Sequence, residues 1–496
     1  MLLSGVVSFA LAPVMIHSLG EFYYGVWIVA NSILSYYSLC DGGMSLTVQR
    51  FVALYRGEHD DSSAAESVNA AVMLVSGIAV GLLAVTGAAV LVAPTFFNIA
   101  SPDVSAFRWA LLLLGSSAAV SFPTRPMAAY LRGIQRFDLC NALAIGALFI
   151  RAAGVLVALQ ISSGIVGVGV ATLVSACMSL AGHAVVLRRS DSRLLCWGWP
   201  GRGRMRQLSQ FSFYVFLTTL GDYLRFHVDA IVVAKCISVA AVTSYTVCSS
   251  LAAYFISVMW GLSAPLMTEI VSLRDKQDGA QRQFFLFASK ITMLAAVLGS
   301  VLLLANGRPI LRFWVGERFV AAYPVLLALI IAHLFDTGQA PSLHLLYATG
   351  KHTALGIWTV LEGIANLCLS VYLAGRFGIV GVALGTVIPM LVVKLVVQPA
   401  YTLRVAGVPI RDYLRGSILK PLAIGSVVAV ASWVFAAEPR SMAGLAWRFA
   451  WQTVLFAALT FTFALETSQR GVLMRAVASR LPLPWQSRVA GRIEHA

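Results

Sequence analysis

The seventh apolar stretch of the sequence contains its densest group of ionisable side chains. Four polar residues recur there at intervals of four, three and four: Thr218, Asp222, Arg225 and Asp229. Such intervals place all four side chains on one face of a helix. The two carboxylates could neutralise Arg225 within an ion cluster, or the face could line the path of a substrate or coupling ion. Both interpretations stay open.

Single charges lie within other apolar stretches. They are Arg151 in the fifth, Asp336 in the tenth, Glu362 in the eleventh and Lys394 in the twelfth. A charge at the bilayer centre costs about 2.5–3.5 kcal/mol on insertion scales, so each one needs a partner or water. Ion pairing between spans would satisfy them, and so would a hydrophilic central cavity, which is the interpretation we favour. Arg125, near the inner end of the fourth stretch, is placed to snorkel to the interface.

Motifs of known enzyme chemistry are absent from the sequence. No G-x-S-x-G, Walker A or H-E-x-x-H pattern occurs, and the seven cysteines show no metal-binding spacing. His333 and His344 could carry protons, although a hydrogen-bonded structural histidine is the commoner case. We therefore predict no catalytic centre, no metal site and no cofactor, and any transport must draw on gradients or on substrate supply.

The elements that carry these groups are predicted to be membrane helices. Hydrophobic residues make up 59% of the 496 and charged residues 11%, against about 25% charged in soluble domains, and the mean hydropathy is +0.82. The deficit of charge runs along the whole chain, so composition predicts an all-α polytopic membrane protein. Basic cytoplasmic loops explain the formal net charge of +15, and no folded basic domain indicates nucleic-acid binding.

About fourteen transmembrane helices are predicted. They lie near residues 2–18, 25–48, 65–93, 106–131, 137–159, 165–187, 209–232, 241–272, 283–305, 319–347, 353–375, 378–403, 413–437 and 444–467. An even number of spans places both termini on one side of the membrane. Segments on that side contain about three times as many basic residues as the others, which predicts cytoplasmic termini. The first span is short for a full crossing, which leaves open a start further upstream.

The sequence contains an internal repeat. Gly164-Ile-Val-Gly-Val168 recurs as Gly378-Ile-Val-Gly-Val382, and Tyr130-Leu-Arg-Gly133 is matched by Tyr347-Ala-Thr-Gly350, in each case six spans later. Because six is even, the two halves share one orientation and form parallel repeats. We therefore predict two pseudo-symmetric six-helix lobes with two extra C-terminal helices.

The predicted organisation has five parts. They are an N-lobe over 1–187, a basic cytoplasmic linker over 188–208, a C-lobe over 209–404, the last two spans over 405–467 and a basic cytoplasmic tail over 468–496. Trp197 and Trp199 indicate that the linker lies on the inner leaflet. Leu473, Val477 and Leu481 share one helical face, which predicts an amphipathic surface helix in the tail.

Several short motifs together resemble those of one transporter family. Leu19-Gly-Glu-Phe-Tyr-Tyr-Gly-Val-Trp27 is followed by Asp41-Gly-Gly43 and Gln49-Arg50, and Asp229 is followed sixteen residues later by Tyr245. With the Gly-x-x-Gly starts of the sixth and twelfth spans, these motifs resemble the polysaccharide (O-antigen type) flippases of the multidrug/oligosaccharidyl-lipid/polysaccharide exporter superfamily.

The resemblance implies two six-helix lobes around a central cavity that opens alternately to each side of the bacterial inner (plasma) membrane. The substrate would be an oligosaccharide linked to polyprenyl pyrophosphate, flipped from the inner to the outer leaflet for surface polysaccharide, lipopolysaccharide or exopolysaccharide biosynthesis. The partners would be this lipid-linked oligosaccharide, membrane lipids and other polysaccharide assembly proteins.

The resemblance also gives the embedded charges expected roles. Arginine bonds two phosphate oxygens at once through its planar fork. The expected cavity residues for pyrophosphate and glycan are Arg151, Arg225, Arg125 and Lys394. The expected coupling or ion-pairing residues are Asp222, Asp229, Asp336 and Glu362. Outward movement of negative charge gains about 2.3 kcal/mol per charge per 100 mV, so the membrane potential is expected to contribute.

Two other functions remain open. A cation-coupled multidrug extruder of the same superfamily would use carboxylates such as Asp222, Asp336 or Glu362, although the first span contains no acidic residue. A membrane glycosyl ligase or polymerase would need a long outward loop with catalytic residues, and the longest outward loop predicted, about 306–318, is short.

Overall fold

The computed structural model describes residues 2–161, 163–191, 193–195, 223, 227–273, 279–351, 353–435, 438–465 and 470. These described residues form helices and the turns between them, with no strand. Asp222, Arg225, most of the linker and nearly all of the tail lie outside the described residues, so what the sequence predicts for them stays a prediction.

Nine helices are described before residue 274. They are α1 (Leu2–Ser35), α2 (Met44–Gly57), α3 (Asp61–Phe96), α4 (Val104–Ser121), α5 (Thr124–Gly133), α6 (Phe137–Gln160), α7 (Gly164–Ser190), α8 (Val228–Cys236) and α9 (Val239–Ser272). Short 3₁₀ turns follow α1 at Tyr36–Asp41 and precede α4 at Ser101–Asp103.

Eight helices are described after residue 279. They are α10 (Ala280–Trp314), α11 (Tyr323–Gly338), α12 (Ala340–Ala348), α13 (Thr353–Val392), α14 (Gln398–Ala406), α15 (Ile410–Tyr413), α16 (Lys420–Phe435) and α17 (Met442–Leu459). A 3₁₀ turn at Glu317–Ala322 precedes α11. π-Helical turns at Val393–Val397, Leu414–Leu419 and Thr460–Ala464 continue α13, α15 and α17.

Ten segments of the described chain are long and apolar enough to cross a membrane. Two of them are continuous helical segments of 55 and 53 residues, Leu3–Gly57 and Ala354–Ala406. Each of these two contains a pair of predicted spans. The prediction of an all-α polytopic membrane protein is confirmed, whereas the count of fourteen spans and the symmetry of two lobes stay predictions.

Glycines with positive φ interrupt the two longest segments. Gly20 breaks α1 with φ 78°, and Gly378 breaks α13 with φ 58°. Glycine adopts this region without the steric penalty that a Cβ brings. Gly164, the counterpart of Gly378 in the sequence repeat, has φ 60° and begins α7. The repeated motif thus marks a change of chain direction at both places.

The predicted outward loop at about 306–318 is wrong for most of its length. Helix α10 continues to Trp314 with Pro309 inside it, and the next 3₁₀ turn begins at Glu317. Membrane helices tolerate an internal proline because neighbouring groups satisfy the backbone that it frees. Proline and arginine in this stretch therefore did not end the helix.

Contacts divide the chain into two compact units. The first comprises Met1–Tyr254 and Thr353–Val393, and the second comprises Phe255–His352 and Lys394–Ala496. In the first unit α4 packs against α3 and α7, and α8 packs against α1 and α13. In the second unit α10 packs against α11 and α16 around a core that includes the fully buried Phe285. The boundaries of the predicted lobes stay predictions.

Candidate functional site

A buried carboxylate lies at the start of α8, within the first unit. Asp229 is in the first turn of this helix and only 7% exposed. Acidic side chains are almost never buried to this degree unless they are paired. The contacts of Asp229 therefore define the first candidate site.

Hydroxyl groups from two other helices donate to one oxygen of this carboxylate. The Tyr245 phenol, in α9, donates to Asp229 Oδ2 at 2.5 Å, and the Thr386 hydroxyl, in α13, donates to the same oxygen at 2.8 Å. Both donors are buried. The sixteen-residue spacing of Asp229 and Tyr245 in the sequence thus corresponds to a direct hydrogen bond.

Two more side chains of α13 complete this group. Ser370 donates to Asn366 Oδ1 at 2.8 Å, and the Thr386 hydroxyl lies 3.3 Å from the same amide oxygen. Both Asn366 and Ser370 are fully buried. We call Asp229, Tyr245, Asn366, Ser370 and Thr386 the Asp229 cluster.

The break in α13 brings these side chains together. Asn366 and Ser370 precede Gly378, and Thr386 follows it. Beyond the break, Gly385 lies so close to Ser370 that an added Cβ would be 2.3 Å from the serine Oγ. The two halves of α13 can pack at this distance because glycine has no side chain. Thr386 therefore meets Asn366 beside Asp229, although 20 residues separate the two in sequence.

Among the described residues, no basic side chain forms an ion pair with Asp229, and its Oδ1 has no hydrogen-bond partner. Burial of an ionised carboxylate without a counter-charge is strongly unfavourable. Arg225 in the ion cluster that the sequence predicts, a proton or a small cation would each remove this penalty. The described chain has no group of three His, Cys, Asp or Glu side chains that could hold a metal ion. One carboxylate among neutral oxygen ligands instead matches a single positive charge.

The acidic residue Glu362 extends the polar face of α13. It is 3% exposed and lies one turn before Asn366, which is in turn one turn before Ser370. The sequence predictions included Asp229 and Glu362, and the family resemblance included Tyr245, but Asn366, Ser370 and Thr386 were missed. Polar residues at intervals of four, at 362, 366 and 370, were the signal that could have identified two of them.

The second unit contains a separate buried ion pair. Lys394 Nζ lies 3.0 Å from Asp336 Oδ1, and the two side chains are 12% and 6% exposed. The Lys394 ammonium also donates to Gln398 Oε1 at 2.9 Å. His333 Nδ1 lies 3.8 Å from the other oxygen of Asp336. The structure therefore brings two of the predicted site residues, Lys394 and Asp336, together as partners.

A π-helical turn positions this ion pair. Lys394 lies within Val393–Val397, and Gln339 donates from its side-chain amide to the Lys394 carbonyl at 2.8 Å. π-Turns inside helices are frequent at functional sites. Here the widened turn presents a carbonyl that Gln339 satisfies, so both the backbone and the side chain of Lys394 are held.

The two predicted arginines that the structure describes have different surroundings. Arg125 donates to Ser38 Oγ at 2.8 Å, and its guanidinium carbon lies 4.3 Å from the centroid of the Phe122 ring. Arg151 is exposed and has no hydrogen-bond or ion-pair partner among the described residues. Of the two, Arg151 has the guanidinium that is available to a ligand.

Arg151 is placed away from the apolar stripe of its own helix. Ile145, Phe149 and Leu156 are exposed and share one side of α6. By helical periodicity Arg151 lies on roughly the opposite side, which it shares with the buried Val155. Its charge is therefore directed away from the side that suits lipid.

Comparisons with known sequences point to one family. A family model described as "Polysaccharide biosynthesis protein" matches residues 53–324. A relative from Bacillus subtilis (strain 168), named "Uncharacterized membrane protein EpsK", is 23% identical over 452 residues, which are 87% of this chain and 86% of the relative.

Solved structures of transporters share the fold. Lipid II flippase MurJ in an inward closed conformation has a TM-score of 0.71 at 16% identity, over 93% of this chain and 97% of that one. An inward-facing multidrug resistance MATE family transporter of the MOP superfamily has a TM-score of 0.62 at 14% identity, over 93% and 95%. At these identities the similarity establishes the fold alone.

Proposed function

Because the chain belongs to the polysaccharide biosynthesis protein family, we propose that it is a flippase. Its substrate is an oligosaccharide linked to polyprenyl pyrophosphate, which it moves from the inner to the outer leaflet of the bacterial inner (plasma) membrane by alternating access. Both termini lie in the cytoplasm. The observation that carries this proposal is that a chain matched by a polysaccharide biosynthesis model has the fold of a lipid II flippase.

The chemistry of this substrate requires a protein path. A pyrophosphate and a glycan lose their hydrogen bonds to water when they enter hydrocarbon, and an isolated charge there is more unfavourable still. A polar path for the headgroup, with the lipid tail left in the bilayer, removes most of this barrier. In a helical membrane fold, polar and charged side chains that face the interior of the bundle supply such a path.

Arg151 supports recognition of the pyrophosphate. Its guanidinium has no partner among the described residues and is directed away from the apolar stripe of α6, and the planar fork suits two phosphate oxygens. Arg125 is already bonded to Ser38, and Lys394 is paired with Asp336. We therefore assign the principal anion contact to Arg151, and the roles expected of Arg125, Arg225 and Lys394 stay predictions.

The Asp229 cluster supports coupling to an ion gradient. Binding of a proton or a monovalent cation would neutralise the buried carboxylate, and release would restore an uncompensated charge. The two states differ in electrostatic free energy, so a gradient of that ion can drive a change between them. The inside-negative membrane potential adds about 2.3 kcal/mol per negative charge moved outward per 100 mV.

Flipping by the purified protein in lipid vesicles tests the proposal. A lectin that cannot cross the membrane reports the lipid-linked oligosaccharide that reaches the opposite leaflet. The lipid-linked oligosaccharide should flip faster in vesicles with the protein than in empty ones. With the Arg151→Ala variant, the flipping rate should fall to that of empty vesicles. Arg136→Ala is the matched control, because Arg136 forms an exposed ion pair with Asp138. Equal flipping rates in empty and protein-containing vesicles would contradict the proposal that the protein is a flippase.

A cation-coupled multidrug extruder is the second candidate. The MATE family structures support it because they share the fold, and the Asp229 cluster would serve cation coupling there as well. Deletion of the gene separates the two functions. Loss of surface polysaccharide with unchanged drug sensitivity supports the flippase, whereas increased drug sensitivity with normal polysaccharide supports the extruder.

A glycosyl ligase or polymerase has less support from the structure. The region that would have supplied the outward catalytic loop, about 306–318, is helical up to Trp314. Only the two residues 315 and 316 separate this helix from the 3₁₀ turn that begins at Glu317.

A further inference from the structure

The turn between α8 and α9 packs very closely on α1. A Cβ added at Gly25 of α1 would lie 2.1 Å from the carbonyl oxygen of Val239, the first residue of α9, and 3.4 Å from Thr243 Oγ1. The first distance is far below any real Cβ contact, and it involves a backbone atom that cannot rotate away. Only glycine allows α1 and α9 to approach in this way.

Two hydrogen bonds reinforce this approach. Thr243 Oγ1 donates to the Glu21 carbonyl of α1 at 2.6 Å. Lys235, in the last turn of α8, donates to the carbonyl of Phe96, the last residue of α3, at 2.6 Å. The Lys235 ammonium also lies 4.7 Å from the centroid of the Phe96 ring. A cation at a helix C-terminus satisfies a carbonyl that the helix itself leaves unpaired.

The break at Gly20 holds the α1 side of these contacts in position. Tyr23, three residues after the break, donates to Asp103 at 2.7 Å. Asp103 ends the 3₁₀ turn that precedes α4. This hydrogen bond ties the segment that carries Glu21 and Gly25 to the start of α4. The motif from Leu19 to Gly25 thus has a structural explanation.

All of these contacts lie at one end of the spans concerned, and the predicted topology places that end outside. We name three contacts the gate junction: Gly25 with Val239, Thr243 with Glu21, and Lys235 with Phe96. We propose that the gate junction is the outward gate of the transport path, closed in this structure. It opens when the α8–α9 turn separates from α1 and α3. The inference rests on the proposed function and adds the place where the path closes.

The same turn also carries part of the Asp229 cluster. Asp229 and Lys235 lie on α8, and Thr243 and Tyr245 lie two residues apart on α9. A movement that breaks the gate junction therefore also displaces the helices that carry Asp229 and Tyr245.

The native Cys248 provides a reporter of gate opening. It is fully buried in α9, three residues beyond Tyr245. The other six cysteines are replaced by serine or alanine, and spheroplasts that contain the full chain are treated with a maleimide that cannot cross the membrane. Labelling of Cys248 from outside then measures how often the path opens outward.

Three variants weaken the gate junction: Gly25→Leu, Thr243→Val and Lys235→Met. Each should raise the outside labelling rate of Cys248 by about tenfold or more, because loss of a closed-state contact shifts the equilibrium toward the open state. Gly81→Leu is the matched control, since an added Cβ there meets no atom within 4 Å, and it should label like the parent. Thr243→Val changes little volume and keeps the test valid if Gly25→Leu does not fold.

The outcomes separate the gate from the proposed function. Unchanged labelling in folded Thr243→Val and Lys235→Met proteins would overturn the gate, as would labelling that rises only from the cytoplasmic side. Faster labelling of Cys248 from outside, without any flipping of lipid-linked oligosaccharide, would support the gate and contradict the proposed substrate. Flipping of the lipid-linked oligosaccharide, with unchanged labelling of Cys248 in the gate-junction variants, would support the proposed function and contradict the gate.

Discussion

Tyr245 donates a hydrogen bond of 2.5 Å to the carboxylate of Asp229, and both side chains are buried in the first unit. Thr386 donates to the same oxygen, whereas Oδ1 of Asp229 accepts from none of the described residues. One carboxylate oxygen is thus satisfied by hydroxyl groups, and the other is open to the predicted Arg225, to a proton or to a cation. This asymmetry is the physical basis of the predictions for the first unit.

Asp229→Asn is expected to stabilise the protein while it abolishes function. The amide removes a buried charge that lacks a described counter-charge, so the free energy of unfolding in sodium-free buffer should rise by about 0.5–2 kcal/mol, the range of common single stabilising substitutions. Thermal unfolding in detergent measures this, with the exposed Asp138→Asn as control. A clear loss of stability in Asp229→Asn would show that the carboxylate has a structural role.

Tyr245→Phe and Thr386→Val should have effects that do not add. Both hydroxyl groups donate to the same oxygen of Asp229. The change in the activation free energy of transport in the double variant should therefore differ from the sum of the two single changes by about 0.5–3 kcal/mol. Transport rates of the four proteins at equal membrane abundance give this coupling. Additive effects would indicate that the two hydroxyl groups act independently.

Asp336→Asn and Lys394→Met are expected to destabilise the second unit when made singly. Removal of one partner of a buried ion pair leaves the other charge uncompensated and costs about 3–5 kcal/mol. The double variant should recover most of this loss, because neither charge remains. Membrane abundance and melting temperature measure the recovery. A double variant as unstable as the single ones would contradict the pairing.

Arg151→Ala should reduce polymer export without any change in stability. Arg151 has no hydrogen-bond or ion-pair partner among the described residues that its removal would break, so abundance and melting temperature should match the parent. Arg151→Lys keeps the charge but loses the planar fork, and it should restore only part of the activity. Normal export from Arg151→Ala would contradict the assignment of the anion contact to this residue.

Composition was sufficient to predict the membrane class, because every long helix had to be apolar. The embedded charges at Asp229, Asp336, Glu362 and Lys394 were visible for the same reason. The partners of these charges could not be identified from the sequence. Lys394 and Asp336 are 58 residues apart in sequence, and nothing in the spacing of either residue identifies the other.

The neutral side chains that α13 contributes to the Asp229 cluster were not predicted from the sequence. Hydroxyl and amide side chains in membrane helices commonly bond to their own backbone, as Thr359 does to Leu355, so their presence alone does not indicate a site. The approach of Thr386 to Asn366 depends on the reversal at Gly378 and on the close packing at Gly385. Both are properties of the folded chain.

Flipping of polyprenyl-pyrophosphate-linked oligosaccharide in proteoliposomes under an imposed ion gradient tests the central claim most directly. The parent protein should flip this lipid, and a proton or sodium gradient should accelerate it. Asp229→Asn, at equal density in the vesicles, should lose the response to the gradient. The account would be contradicted if the parent did not flip the lipid, or if Asp229→Asn responded to the gradient as the parent does.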